Sequence, residues 1–119
     1  MKQTRRTKRV SGLIRQKLGH IIATEINDPE LGIITVTRVD VSIDLKIARA
    51  FFSIVGGKKP RKKQINIIKG LSKLLRQKLA REVELKYMPE LELVFDRTTQ
   101  KAQRIEDLLQ KARKKKNET

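Results

Sequence analysis

Arg5, Arg6, Lys8 and Arg9 place four cations within five residues, and Lys62, Lys69, Lys73 and Arg76 recur at spacings of seven, four and three. On a helix such spacings bring side chains to one face, so the second set forms a cationic stripe about four turns long, with Asn66 among it. Ammonium and guanidinium groups in arrays break no bonds by themselves. They bind phosphate oxygens, the guanidinium as a planar fork and the ammonium as a point charge.

Residues that could do covalent chemistry are scarce. Asp28, Glu30, Asp40 and Asp44 are the carboxylates a two-metal nuclease would need, but Asp28 precedes Pro29 at a helix end and Asp44 lies in a turn. Both are places where Asp serves local hydrogen bonds, and no convergent set of carboxylates emerges. His20 falls on the polar side of its helix with no partner motif beside it, and reads as a surface residue. Cysteine is absent, which excludes disulfides, thiolate metal sites and cysteine nucleophiles, and one histidine cannot form a histidine zinc cluster. No enzyme activity, metal or cofactor is expected.

Charge distribution adds weight to the basic sets. Residues 1–24 carry seven basic groups and no acid, and residues 45–81 carry twelve and no acid, within a chain whose net charge is +16. Solvated faces usually mix signs, whereas like charges this dense repel one another unless a polyanion offsets them. Nucleic acid is the expected partner. The N-terminal cluster has a plainer account as well, since a basic arm can merely strengthen nonspecific binding. The four aromatics, Phe51, Phe52, Tyr87 and Phe95, are too few for an extensive base-stacking platform, so recognition should rest on backbone shape and phosphate position.

The elements that must carry these groups follow from composition and periodicity. The 119 residues, 38% of them apolar, suit one small domain with a core of Ile, Leu and Val. No signal-peptide pattern and no apolar run long enough for a membrane span is visible, so a soluble, cytoplasmic protein is expected. Val10, Leu13, Ile14, Leu18, Ile21, Ile22 and Ile26 make one apolar stripe on a helix over about 5–26. Asn27-Asp28-Pro29 ends it, because the residue before proline leaves the helical region and Asn tolerates a left-handed terminus.

Ile33–Val41 reads as a strand whose buried face alternation alone does not settle. Lys46–Val55 is clearer: Ala48, Ala50, Phe52 and Ile54 form an apolar face, opposite Ile47, Arg49, Phe51 and Ser53. Together they make a hairpin closed at Ser42-Ile43-Asp44. Phe51 is a candidate for a stacking or partner contact, with filling a small core under a helix as the ordinary alternative. After the Gly56-to-Pro60 loop, a helical pattern runs to about Val83 with Ile65, Ile68, Leu71, Leu75, Leu79 and Val83 inward. Gly70 in its middle predicts a kink or break, since an interior glycine costs about 1 kcal/mol relative to alanine. Leu91, Leu93 and Phe95 mark a third strand, and Ile105, Leu108 and Leu109 a short last helix.

The predicted class is therefore α+β: one domain over 1–110 in the order helix, strand, strand, broken helix, strand, with helices on one face of a three-stranded sheet. A basic, disordered tail over 111–119 follows. That order is the KH-like fold in its type II, bacterial arrangement. KH domains grip single strands through a GxxG loop. No two of the six glycines here are three apart, so that grip is missing.

The residues Arg9-Val10, Asp28-Pro29-Glu30-Leu31, Thr35-Val36-Thr37-Arg38-Val39 and Val41-Ser42-Ile43-Asp44-Leu45 with Ala48 resemble the ribosome-binding factor A family. The likeness resumes with Leu75-Arg76, Leu85-Lys86, Met88-Pro89-Glu90-Leu91, Phe95-Asp96 and Arg104-Ile105. It covers about 5–109 and is weak over 56–73. What the resemblance implies is a KH-like protein, monomeric when free, that binds the immature small (30S) ribosomal subunit and its 16S ribosomal RNA. It further implies support for late maturation and precursor processing without catalysis, and a greater requirement in the cold. The family breaks its second long helix at an Ala-x-Gly step in place of GxxG; the aligned residues here are Leu71-Ser72-Lys73, and the break falls either there or at Gly70.

Two other classes share parts of the pattern. A permanent ribosomal protein would have the same size and charge, and a duplex-DNA regulator the same basicity, although no helix-turn-helix spacing stands out.

Overall fold

Thr4 opens the first helix, α1 (Arg5–Glu25), with a reciprocal cap: its hydroxyl accepts the Thr7 N–H at 3.1 Å, and the Thr7 hydroxyl accepts the Thr4 N–H at 2.8 Å. Threonine here does what Glu or Gln does in the usual capping box. The computed structural model describes residues 3–98, 105 and 108–113. Val10, Ile14, Leu18, Ile21 and Ile22 are buried along one stripe, as their spacing predicts. The helix ends without a left-handed residue. Ile26 leaves the helical region at φ -107 and ψ 80, Asn27 stays at negative φ, and Asp28 then accepts the Glu30 N–H at 2.9 Å, so the turn is built on the Asp side chain rather than on Asn27.

Strands β1 (Ile33–Val41) and β2 (Ile47–Val55) pair antiparallel, and β3 (Glu90–Phe95) adds parallel to β2, giving a mixed sheet in the order β1-β2-β3. The β1 register slips between Val36 and Arg38, where Thr37 forms a bulge. That extra residue explains the ambiguous alternation: Val36 and Val39, three apart, both face the core with Val41. On β2, Ala48, Ala50, Phe52 and Ile54 are buried as the alternation predicts. The hairpin turn closes with Leu45 at φ 60, a left-handed conformation that a branched side chain adopts only when its surroundings impose it. Asp44 imposes it by accepting the Ser42 hydroxyl at 2.6 Å and the Lys46 N–H at 3.1 Å.

The crossover from β2 to β3 carries α2 (Arg61–Gly70) and α3 (Ser72–Glu82). The single long pattern is thus broken at Leu71, the residue after Gly70 and the first of Leu71-Ser72-Lys73. Ile68, Leu75, Leu79 and Val83 are buried, with Ile65 and Leu71 partly so. All pack with α1 on one face of the sheet into a single core around Phe52.

Gln64, a polar residue on a basic helix, is only 1% exposed. Its amide donates to the carbonyls of Glu30 (3.2 Å) and Gly56 (3.0 Å) and accepts from Arg61 (2.8 Å), tying the start of α2 to the ends of β1 and β2. Gly57 must be glycine beside it. Its φ is 89, and a Cβ there would run into the Gln64 amide and the Glu30 carbonyl. Past β3, residues 108–113 are helical, three residues beyond the expected boundary at 110, where Lys111, Ala112 and Arg113 are good helix formers. The rest of the tail, 114–119, lies outside the described residues.

Candidate nucleic-acid interface

Seven of the eight predicted phosphate-binding residues divide into three groups, and Arg76 stands apart. Arg5, Arg6, Lys8 and Arg9 are exposed on the first turns of α1. Arg5, Arg6 and Arg9 share one wall of a groove of about 1410 Å³, whose other walls are the β1–β2 turn and the loop 84–89. Lys69 and Lys73 stand exposed on either side of the α2–α3 break. Lys62 is exposed near the start of α2, at the end of the sheet that Gly56 marks. The hairpin turn and Gly56 lie at opposite ends of β2, about 26 Å apart at strand rise. The two acid-free stretches meet in the groove, where Lys46 joins Arg5, Arg6 and Arg9, while Lys62 lies toward the other end of the sheet.

Arg76 departs from the stripe. It is half-buried, and its guanidinium donates to the main-chain carbonyls of Pro89 at 2.9 Å and Met88 at 2.8 Å. The break at Leu71 is the reason: a projection at a constant angle per residue loses its phase where the helix stops and restarts. Arg76 therefore serves as a fastening for the loop before β3.

Electrostatics leave the remaining seven groups open. Among the described residues the ion pairs are Arg38–Asp40, Arg49–Glu92 and Lys78–Glu25, and none involves the seven. Two of the twelve cations in 45–81, Arg49 and Lys78, are thus offset by carboxylates, and Arg76 is engaged by carbonyls. Both α2 and α3 begin without a side-chain cap and without an acid in the first turn. Their free N–H groups carry partial positive charge, so Lys69, Lys73 and the start of α3 together suit an anion of phosphate type.

The KH-like order of elements is matched by solved structures. The fold aligns with the crystal structure of ribosome-binding factor A from Thermus thermophilus at a TM-score of 0.63 and 20% identity, covering 74% of this chain and 93% of that one. The family model described as Ribosome-binding factor A matches residues 6–109. The chain belongs to the ribosome-binding factor A family. Ribosome-binding factor A of Desulfatibacillum aliphaticivorans is 37% identical over 109 residues, 92% of this chain and 89% of that one. Thermus thermophilus ribosome-binding factor A as fitted into a cryo-EM map of a 30S complex is also similar, at a TM-score of 0.60 and 22% identity, with coverage of 73% and 91%.

For this family member, sequence reasoning missed the loop 84–89 as part of the site. Tyr87 there is 77% exposed, with the Lys86 ammonium 5.7 Å from its ring centroid. The available signal was the lone tyrosine in an aperiodic stretch ahead of Pro89. Phe51 is half-buried on the mixed face of β2, with the Arg38 guanidinium 4.1 Å from its ring centroid. His20 is exposed. Among the described residues no group of three His, Cys, Asp or Glu is placed to hold a metal ion, and no helix is long and apolar enough to cross a membrane.

Proposed function

We propose that this chain is an assembly factor that binds the immature small (30S) ribosomal subunit through its 16S ribosomal RNA and supports late maturation and precursor processing by binding alone, without catalysis. In this reading it is a cytoplasmic monomer when free and is needed most in the cold, when misfolded RNA escapes slowly. The observation that carries it is the set of exposed lysines, Lys62, Lys69 and Lys73, outside every ion pair among the described residues and around two uncapped helix starts, in a chain of the ribosome-binding factor A family. The 30S complex into which the Thermus thermophilus factor was fitted supports the choice of partner.

The mechanism follows from differential affinity. A rigid basic surface that meets phosphates in one arrangement of the RNA, and misses them in others, shifts the RNA toward the arrangement it fits. Release then needs no chemistry, only a mature RNA whose phosphates no longer match.

Sedimentation separates the reading from a permanent ribosomal protein. The chain should be substoichiometric, concentrated on free small subunits and absent from translating ribosomes. Deletion should give slow growth in the cold with accumulation of precursor 16S RNA. Normal processing at every temperature would overturn the assembly role.

A further inference from the structure

The groove at the hairpin end of the sheet carries features that a surface reading only phosphates does not need. Of the four aromatics, Phe52 is buried and Phe51 and Phe95 are half-buried, so Tyr87 is the one ring fully offered to solvent. It lines a concave, mixed groove together with Arg5, Arg6 and Arg9. We propose that this groove receives an unpaired nucleotide of single-stranded RNA, its base stacked on Tyr87 and its flanking phosphates met by Arg5, Arg6 and Arg9. The proposal rests on the RNA-binding reading above and adds a strand type and a contact to it.

Three observations select this occupant. First, the walls are fixed in advance. Arg76 holds the carbonyls of Met88 and Pro89, next to Tyr87, and Asp44 holds the opposite wall through Ser42 and Lys46. A preset ring loses little freedom when a base stacks on it. Second, the lining is not uniformly basic: Asp44, Glu84 and Glu90 sit among five cations. A continuous phosphate ladder would meet those carboxylates, whereas one extruded nucleotide places few phosphates and one neutral base. Third, the shape is concave and, at about 1410 Å³, larger than the 300–1,000 Å³ typical of small-molecule pockets. A duplex presents a convex phosphate surface with its bases already stacked, so it offers Tyr87 nothing.

Fluorescence anisotropy with labelled RNA tests this on the full chain, using a short single-stranded oligouridylate and a blunt-ended, fully paired RNA duplex. Tyr87→Ala should weaken oligouridylate binding about tenfold, the loss expected when one base–aromatic stack is removed, while Tyr87→Phe stays within about twofold of wild type. Binding of the blunt-ended duplex should change by less than about twofold in both variants, because no base leaves a duplex to meet the ring. Tyr87 is exposed, so its replacement does not threaten the fold. If the wild type binds oligouridylate and Tyr87→Ala binds it equally well, the groove proposal is overturned and general RNA binding stands. If the wild type binds neither RNA, both readings fall together.

Discussion

The Arg76 guanidinium spans the gap between α3 and the approach to β3, donating to the Pro89 carbonyl through Nε and to the Met88 carbonyl through an Nη. A residue that looks in sequence like one more cation on a basic face is therefore a structural fastening. The loop it holds forms one wall of the groove beside Arg5, Arg6 and Arg9.

Arg76→Lys should destabilise the chain by about 1–2 kcal/mol in urea unfolding, because a lysine ammonium cannot reproduce the fork and leaves one of the two carbonyls unmet. The charge is kept, so the salt dependence of RNA binding should change little. Urea midpoints and RNA titrations on the same variant separate the two roles.

Gln64→Ala should cost about 1–3 kcal/mol, since it empties a buried position and removes the bonds that tie α2 to the Glu30 and Gly56 carbonyls and to Arg61. Gly57→Ala should be at least as damaging, because it combines a left-handed backbone with a collision against the same amide. Thermal unfolding of both variants checks the pair.

Gly70→Ala should do the opposite. Nothing lies within 4 Å of where its Cβ would be, and its φ is not left-handed, so the added methyl meets no obstacle. The gain in helix propensity predicts about 0.5–1 kcal/mol of added stability in thermal unfolding. A loss instead would show that the break depends on glycine itself.

Asp44 titrates below its ordinary value of 3.8, chiefly because its carboxylate accepts the Ser42 hydroxyl and then the Lys46 N–H. A pKa depressed by folding contributes stability that is complete above the unfolded value and is lost as pH falls through the lower folded one. The hairpin turn should therefore hold at pH 5 and loosen only below pH 3.8, followed by the Lys46 amide resonance. Ser42→Ala should bring the Asp44 midpoint back up toward 3.8.

Elements with unbroken periodicity were legible in the sequence. The α1 stripe and the apolar face of β2 lie where spacing puts them, and the break beside Gly70 follows from helix propensity. What escaped depends on contacts between distant residues. The bulge at Thr37 interrupts alternation for a reason visible only in the pairing with β2. Gln64 is polar and sits on a basic helix, so nothing local marks it as buried. Arg76 joins the basic face only when the projection runs through a helix that in fact stops at Leu71. The loop 84–89 has no period, and its lone tyrosine marks an exposed ring without showing which residues face it across a groove.

The most direct test of the central claim is the salt dependence of RNA affinity in the wild type against the triple replacement Lys62→Gln, Lys69→Gln, Lys73→Gln, whose side chains are exposed and outside every ion pair among the described residues. With about six phosphates neutralised, wild-type affinity should fall roughly a thousandfold between 50 and 200 mM salt, and the triple variant should show a log–log slope smaller by about 2 to 3. A triple variant with the wild-type slope would contradict the account, because these lysines would then meet no phosphate.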